Sequence, residues 1–476
     1  MKDRVRKIYR HAIDILEQVG VKLKHDRVLD ILQDNGVRIE GDPAFFTQKD
    51  IEVWIAKAPS SFTLHARNPE YNAFIGGDRI NFTAGYGCPT VYELDGSARA
   101  ARLSDYLRFA RLIHQCDHFS INGGILAQPS NVPAVLSHLI MTYAALMASD
   151  KCLMGLPGNE SQMRQIMELA AIAFGGREAL KEKPHILTMI STISPLLVDD
   201  MALSSILVAA EFNQPLIISP GPGAGTTGPI DLAGNMALAT AEALACIVVA
   251  QMIKPGVPVL FGLQCFGADL KTANVSIGSP AYAQMARHTA ELARYLDLPS
   301  RCGGSNTDAL CVSPQSGYEG MLSLLTACQN KVNLMVQSTG ILDSFAAISY
   351  EKFIVDLEII DMVTYYLDDF EISSNTLNLD LIKAVGPGGN FLITMDTTEK
   401  CRTHSWTPRV GVRGKIDRKA VLDKYYDNIQ TTINQMLDDY QQPQIDPAIR
   451  SELDNYMMSQ GVDRKFLADI HDLINS

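Results

Sequence analysis

A chain of 476 residues could hold two or three average domains, or one barrel with insertions. Its 47% hydrophobic and 20% charged content is that of a globular protein and excludes a disordered or fibrous chain. A net charge of −12, with no basic block against it, excludes the usual basis for a nucleic-acid or anionic-membrane partner.

The first residues, MKDRVRKIYRHAIDIL, are amphipathic and charged, unlike a signal sequence. The apolar run 241–253 is too short to span a bilayer. Nine cysteines lie scattered without a CxxC or a Cys/His ligand spacing, so neither a disulfide framework nor a bound metal is expected. Their odd count fits a reducing compartment, and the protein is expected in the cytoplasm.

Residues 3–19 place Val5, Ile8, Ala12, Ile15, Leu16 and Val19 on one helical face, and Gly20 ends that helix. A short strand at 21–24, a helix at 26–33 and another at 48–57 follow. From Phe62 the pattern turns to paired short strands, which read as hairpins that plug or decorate a barrel end. Short apolar strands then alternate with helices: 79–85, 119–125, 152–157, 185–191, 215–220, 258–263, 299–304 and 332–338. Near-continuous apolar strands between helices mark a parallel sheet buried on both faces.

Eight of them predict an α/β fold, a (β/α)8 TIM barrel, which typically takes about 250 residues before insertions. A doubly wound open sheet is the alternative, but no GxGxxG follows the first strand. Helices at 351–367, 379–385, 417–440 and 447–473 complete the chain. The expected organisation is a helical and strand preface (1–75), the barrel (76–412) and a helical extension (413–476).

Barrel enzymes place their chemistry in the loops after the strands. The loop RCGGSNTDALCVSPQSGYEG (301–320) offers Asn306, Asp308 and Gln315 as candidate catalytic residues. Gln264 and Phe266 follow the sixth strand, Tyr86 the first, and Tyr350 opens the helix after the last; all four are candidates for binding substrate. Gly221, Gly223 and Gly225 in PGPGAGTTGP either edge a cofactor or anion site or make a tight loop, since no GK[ST] is present. Further on, Phe370 stands among three carboxylates, and His404, Trp406 and Arg409 share TTEKCRTHSWTPR. An aromatic face there could hold a quaternary ammonium, and Arg409 or His404 a carboxylate. HExxH and GxSxG are absent, as is an SxxK in a convincing context, so hydrolytic chemistry has little support.

Several stretches together resemble the trimethylamine methyltransferase family of corrinoid-dependent methyltransferases. They run in family order: AIDILEQVGVKL, KAPSSFTLHARNP, TAGYGCPTVYELDGSARAARLSDYLRFARL, GPIDLAGNMALATAEALACIVVAQMIKPGVPVLFG, GGSNTDALCVSPQSGYEG and GPGGNFLITMDTTEKCRTHSW. The archetype carries pyrrolysine in the loop matching 306–315, where this chain has Leu310 and Cys311. It also has Asp396 and Cys401 where the archetype pattern has histidines. The chain therefore resembles the branch without pyrrolysine, whose members demethylate glycine betaine, proline betaine or carnitine.

That resemblance implies methyl transfer from a quaternary amine, most simply glycine betaine, to the Co(I) corrinoid (cobalamin) of a separate corrinoid-binding protein. Self-association into a homo-oligomer is also expected. A betaine-binding protein without turnover is a second reading from another class. A Schiff-base lyase would need a lysine at a strand end, and these ends supply none. Because pyrrolysine is absent, trimethylamine should not be a substrate. Corrinoid methylation assayed with trimethylamine beside the best betaine checks this, and matching rates would refute it.

Overall fold

Eight short parallel strands closing on themselves form the centre of the molecule, described for residues 2–272 and 274–475 in a computed structural model. They are β1 (Asn81–Phe82), β2 (Ile121–Gly123), β3 (Cys152–Met154), β4 (Ile186–Ile190), β5 (Leu216–Ile218), β6 (Val259–Phe261), β7 (Arg301–Gly303) and β8 (Leu334–Val336). Ladders join β2 through β6 in order, and β7 to β8 to β1. The parallel bridges Phe82 to Phe119 and Phe261 to Ser300 close the ring. Each strand predicted from the sequence lies in this barrel, shortened at its ends.

Alternation along the strands sorts side chains into two layers. Ile121, Cys152, Met154, Leu187, Ile217, Leu260, Leu334 and Val336 form one buried cluster inside the ring. Their neighbours Leu153, Ile186, Ile218, Val259, Phe261, Cys302 and Met335 join the larger cluster under the helices. Both faces are thus apolar, which is why the strands read as continuous hydrophobic runs.

The hairpin Ser61–Leu64 with Ala73–Gly76 plugs the amino end of the barrel, placing Phe62, Leu64 and Ile75 in the interior cluster. Cys152 at the start of β3 donates its thiol to the Leu64 and Tyr71 carbonyls at 3.3 Å. A Cβ at Gly76 (φ 139°) would lie 2.4 Å from the Ser61 Cβ, so only glycine lets the two strands meet there. With this end filled, only the carboxyl end can admit a ligand.

A long helix follows each strand: α1 (Leu103–His114), α2 (Ser137–Ala148), α3 (Glu160–Ala173), α4 (Asp200–Glu211), α5 (Leu232–Ile253), α6 (Pro280–Tyr295), α7 (Pro314–Gln329) and α8 (Tyr350–Leu367), with a short helix, Arg177–Glu182, added after α3. α5 is long and apolar enough to cross a bilayer, yet its hydrophobic window is 94% buried inside the protein. The helices Lys2–Gln18 and Gln48–Ile55 pack over it, so α5 is apolar on all sides because protein covers all sides. The preface is tied down again by its strand Val21–Leu23, which pairs with Leu197–Val198 from the loop after β4. The single carboxyl-terminal helix expected over 447–473 is two, Pro447–Ser459 and Arg464–Asn475, broken where Gly461 adopts φ 93°.

Inside α8, Lys352 and Asp356 are both wholly buried and paired. The carboxylate of Asp356 also accepts from the Ser305 hydroxyl after β7 and from the Gly340 amide at 2.8 Å after β8. One buried ion pair therefore fixes two adjacent loops of the barrel mouth to one helix. Asp356→Ala leaves the Lys352 ammonium buried and unpaired, with an expected loss of about 3–5 kcal/mol in unfolding free energy. Denaturant titration by circular dichroism checks this; a loss below about 1 kcal/mol would remove the pair from its bracing role.

Candidate active site

The carboxyl mouth of the barrel is built around a buried cation. Arg301 on β7 is only 1% exposed, and its side chain lies across the interior towards the ends of β5, β6 and β8. Nη1 donates to the Ser219 hydroxyl at 2.9 Å and to the Gln264 side-chain carbonyl, and Nη2 donates to the Gln337 side-chain carbonyl at 3.3 Å. Nε has no partner among the described residues. The ionisable groups that bear on its charge are Tyr282, Cys302 and Tyr86, none of them a carboxylate, and burial pushes the guanidinium below its ordinary range.

Neutral groups complete the lining. Tyr282, on α6, accepts through its hydroxyl from the Gln264 amide and the Gly303 amide, both at 3.1 Å. Gly303 leaves the room for this: a Cβ there would lie 2.2 Å from the Tyr282 hydroxyl and 2.1 Å from the Asn306 Nδ2. Asn306 is fully buried, and neither end of its amide has a partner among the described residues. Tyr86 lies against Gly124 and donates to the Gly155 carbonyl at 3.4 Å. Gln337 holds the left-handed φ of 65°, unusual for a side chain of this kind. In that strained pose its amide donates to the Tyr86 carbonyl at 3.3 Å while its oxygen accepts from Arg301.

The sequence candidates divide between this mouth and elsewhere. Tyr86, Gln264 and Asn306 are in it. Phe266 stands at the rim, its ring packed against Gly223 rather than offering a free face. Asp308 braces loops: its carboxylate accepts from the Ile277 amide at 2.8 Å and from the Ser276 and Ser344 hydroxyls at 3.1 and 2.7 Å. Gln315 bonds Glu319 at 2.9 Å, and Glu319 in turn holds Thr307 and the Asp308 amide. Leu310 and Cys311 are exposed on the outer part of the same loop.

The glycine loop after β5 turns its amides inward. Gly223 donates to the Thr227 hydroxyl at 2.8 Å and Gly225 to the Gly228 carbonyl at 3.0 Å, so these two do not form an anion cradle. Gly221 instead allows close approach to Gln264, whose carbonyl a Cβ would meet at 3.3 Å.

Five other candidates lie away from the mouth. Tyr350 is buried between α8 and α1, stacked on Phe109 at 4.3 Å with its hydroxyl donating to Asp105 at 2.8 Å. Phe370, at 78% exposure, begins an exposed arm over residues 368–409. His404 is exposed on that arm, and the ring of Trp406 is covered by the Arg413 guanidinium at 5.3 Å. Arg409 pairs with Asp361 near the carboxyl end of α8, which also meets His118 just ahead of β2. These contacts set Arg409 towards the amino end of the barrel, opposite the mouth.

Reading the sequence missed Arg301, Gln337, Tyr282 and Glu242. Glu242 is buried in α5, where its carboxylate accepts from Thr192, from the Ser194 hydroxyl at 2.9 Å and from the Leu196 amide at 2.8 Å, fixing the loop after β4. The available signal for Arg301 was a charge opening an otherwise apolar parallel strand. Such a strand is buried on both faces, so the charge must lie inside.

Among the described residues no group of His, Cys, Asp and Glu side chains is placed to hold a metal ion. The mouth combines aromatic rings, amides and one cation, with no carboxylate–histidine pair to move a proton. It suits positioning of a small polar ligand more than acid–base work.

A family model described as trimethylamine methyltransferase (MTTB) matches residues 1–463. A protein named glycine betaine methyltransferase, from Desulfitobacterium hafniense (strain Y51), is 38% identical over 462 residues, 97% of this chain and 96% of that one. A trimethylamine methyltransferase of Desulfitobacterium hafniense (strain DSM 10664 / DCB-2) is 26% identical over 84% of this chain and 80% of its own length. A proline betaine:corrinoid methyltransferase of Eubacterium limosum is 26% identical over 89% of each chain. Matched along nearly its full length and folded as a closed (β/α)8 barrel, the chain belongs to the trimethylamine methyltransferase family and is a methyltransferase.

Proposed function

We propose that this protein moves a methyl group from glycine betaine to the Co(I) centre of a corrinoid carried by a separate protein, releasing dimethylglycine. The observation that carries this reading is the 38% identity over 97% of the chain to a glycine betaine methyltransferase, against 26% to the trimethylamine and proline betaine enzymes.

The chemistry suits a mouth of neutral groups. The carbon–nitrogen bond breaks with its electron pair going to nitrogen, and the electron pair of Co(I) forms the carbon–cobalt bond. A quaternary ammonium leaves as a neutral tertiary amine, so no proton is moved and no general acid is needed. What remains for the protein is to hold the nitrogen, the methyl carbon and the incoming cobalt in line, which positioning alone can accelerate strongly. Tyr86 and Tyr282 supply ring and hydroxyl edges to a methylated cation, whose attraction to aromatic faces is worth about 0.5–2 kcal/mol. Asn306 and Gln264 supply amides that orient the substrate. The plug at the amino end leaves the carboxyl mouth as the side from which the corrinoid protein approaches, past the loop 220–229 and the rim residue Phe266.

Mixing the chain with reduced corrinoid protein and adding amines singly tests this reading. Glycine betaine should convert the Co(I) spectrum to that of methyl-Co(III), with one dimethylglycine formed per cobalt. Proline betaine or carnitine should be slower. Betaine bound without any cobalt methylation would instead make the chain a binding protein. Asn306→Ala should lower the transfer rate at least about tenfold, or roughly 1.4 kcal/mol in the barrier. A wild-type rate in that folded variant would remove Asn306 from the site.

A further inference from the structure

Among the described residues, Arg301 carries a charge that the protein does not neutralise. A guanidinium presents five N–H donors. Both hydrogens of Nη1 are engaged, by Ser219 and Gln264, and one of Nη2 by Gln337. The donors left over are Nε–H and the second hydrogen of Nη2, on adjacent nitrogens. Two neighbouring N–H groups match the two oxygens of a carboxylate, which is the geometry guanidinium groups use for bidentate binding.

Burying a cation among neutral acceptors costs stability, and it persists where a ligand supplies the counter-charge. Here the burial is held in place from three sides. Ser219 and Gln337 are themselves buried, and Gln337 adopts its left-handed backbone to reach the guanidinium. Gln264 differs: it is half-buried, bonded to Nη1 on one side and to the Tyr282 hydroxyl on the other. It is the acceptor facing the mouth, and turning its amide aside opens the guanidinium to a ligand.

We infer that Arg301 is the residue that reads the substrate's carboxylate, through the Nε–H and Nη2–H left free, with Gln264 turning aside to admit it. The inference rests on the betaine reading above and adds its specificity. A substrate is recognised by a carboxylate a short distance from a methylated nitrogen, and amines lacking it bind only weakly. Arg409, the candidate from the sequence for this role, already has Asp361 as its partner.

Calorimetric titration of the wild-type chain, Arg301→Lys and Arg301→Gln separates the possibilities. The probes are glycine betaine, its methyl ester and tetramethylammonium, with melting curves selecting the folded variants. Arg301→Gln should weaken glycine betaine binding about a hundredfold, because a buried charged partner is lost. Arg301→Lys should weaken it about tenfold, since an ammonium lacks the planar fork. Tetramethylammonium binding should stay within about twofold in each variant, and the wild type should bind the ester about a hundredfold more weakly than the free carboxylate.

Betaine affinity unchanged in a folded Arg301 variant overturns the inference. Equal loss for betaine and tetramethylammonium does so too, since it marks a merely structural arginine. If neither variant folds, equal wild-type affinity for ester and acid overturns it without mutation. A wild type that binds tetramethylammonium but no carboxylated amine refutes the role of Arg301 while leaving a quaternary-amine site. A wild type that binds none of the probes refutes the betaine reading itself.

Discussion

Lys352 and Asp356 form the interaction on which the mouth depends. An ion pair with both partners out of water is held only if every remaining polar atom finds a partner. Asp356 meets that demand by drawing in the Ser305 hydroxyl and the Gly340 amide, from the loops after β7 and β8. The pair therefore does more than join one turn of α8 to the next. It sets where β7 ends, and with it Gly303 and Asn306. It also sets the start of the loop that Gln337 enters with a left-handed backbone. Asp308 and Glu319 extend the same brace outward, towards the loops after β6 and β8. Rigid support of this kind is what lets three neutral acceptors hold a buried guanidinium in one pose.

That support also explains a polar interior in an otherwise oily barrel. The amino end is filled by the hairpin and its apolar side chains. The carboxyl end is filled by Arg301, Gln264, Gln337, Tyr282, Asn306 and Tyr86. Such groups are expensive to bury, and the unpartnered Asn306 amide and Arg301 Nε are more expensive still. Concentrating them at one end of the barrel marks where a ligand completes the hydrogen bonding. Displacement at a quaternary nitrogen requires no acid or base, so a methyltransferase of this type can place its polar groups for recognition alone.

The barrel was legible because its strands are buried on both faces, and such strands write themselves as apolar runs between helices. The plug was legible from the paired short strands after Phe62. The break at Gly461 was missed because amphipathic helices on either side share a hydrophobic period. Of the candidates, Tyr86, Gln264 and Asn306 were chosen by their position after strands, and they lie at the barrel mouth. Trp406, His404 and Arg409 were chosen for chemical type and proximity in sequence. Chemical type says nothing about where a long arm folds back, and Arg409 lies by α8, paired with Asp361. Phe370 was chosen the same way, whereas Tyr350 was chosen for its place after the last strand, where its ring turns against Phe109 of α1 instead. Arg301 went unrecognised because the loop after it drew attention away from the strand. Gln337 could not be found, since its role comes from a backbone angle that no residue pattern encodes.

The most direct test follows an isotopically labelled N-methyl group from glycine betaine in the presence of the chain and reduced corrinoid, either protein-bound or as free cob(I)alamin. Betaine methyl transfer delivers one labelled methyl per cobalt and leaves dimethylglycine carrying the other two, both visible by carbon nuclear magnetic resonance. Labelled betaine recovered intact, under conditions where an unrelated methyl donor methylates the same cobalt, would contradict it.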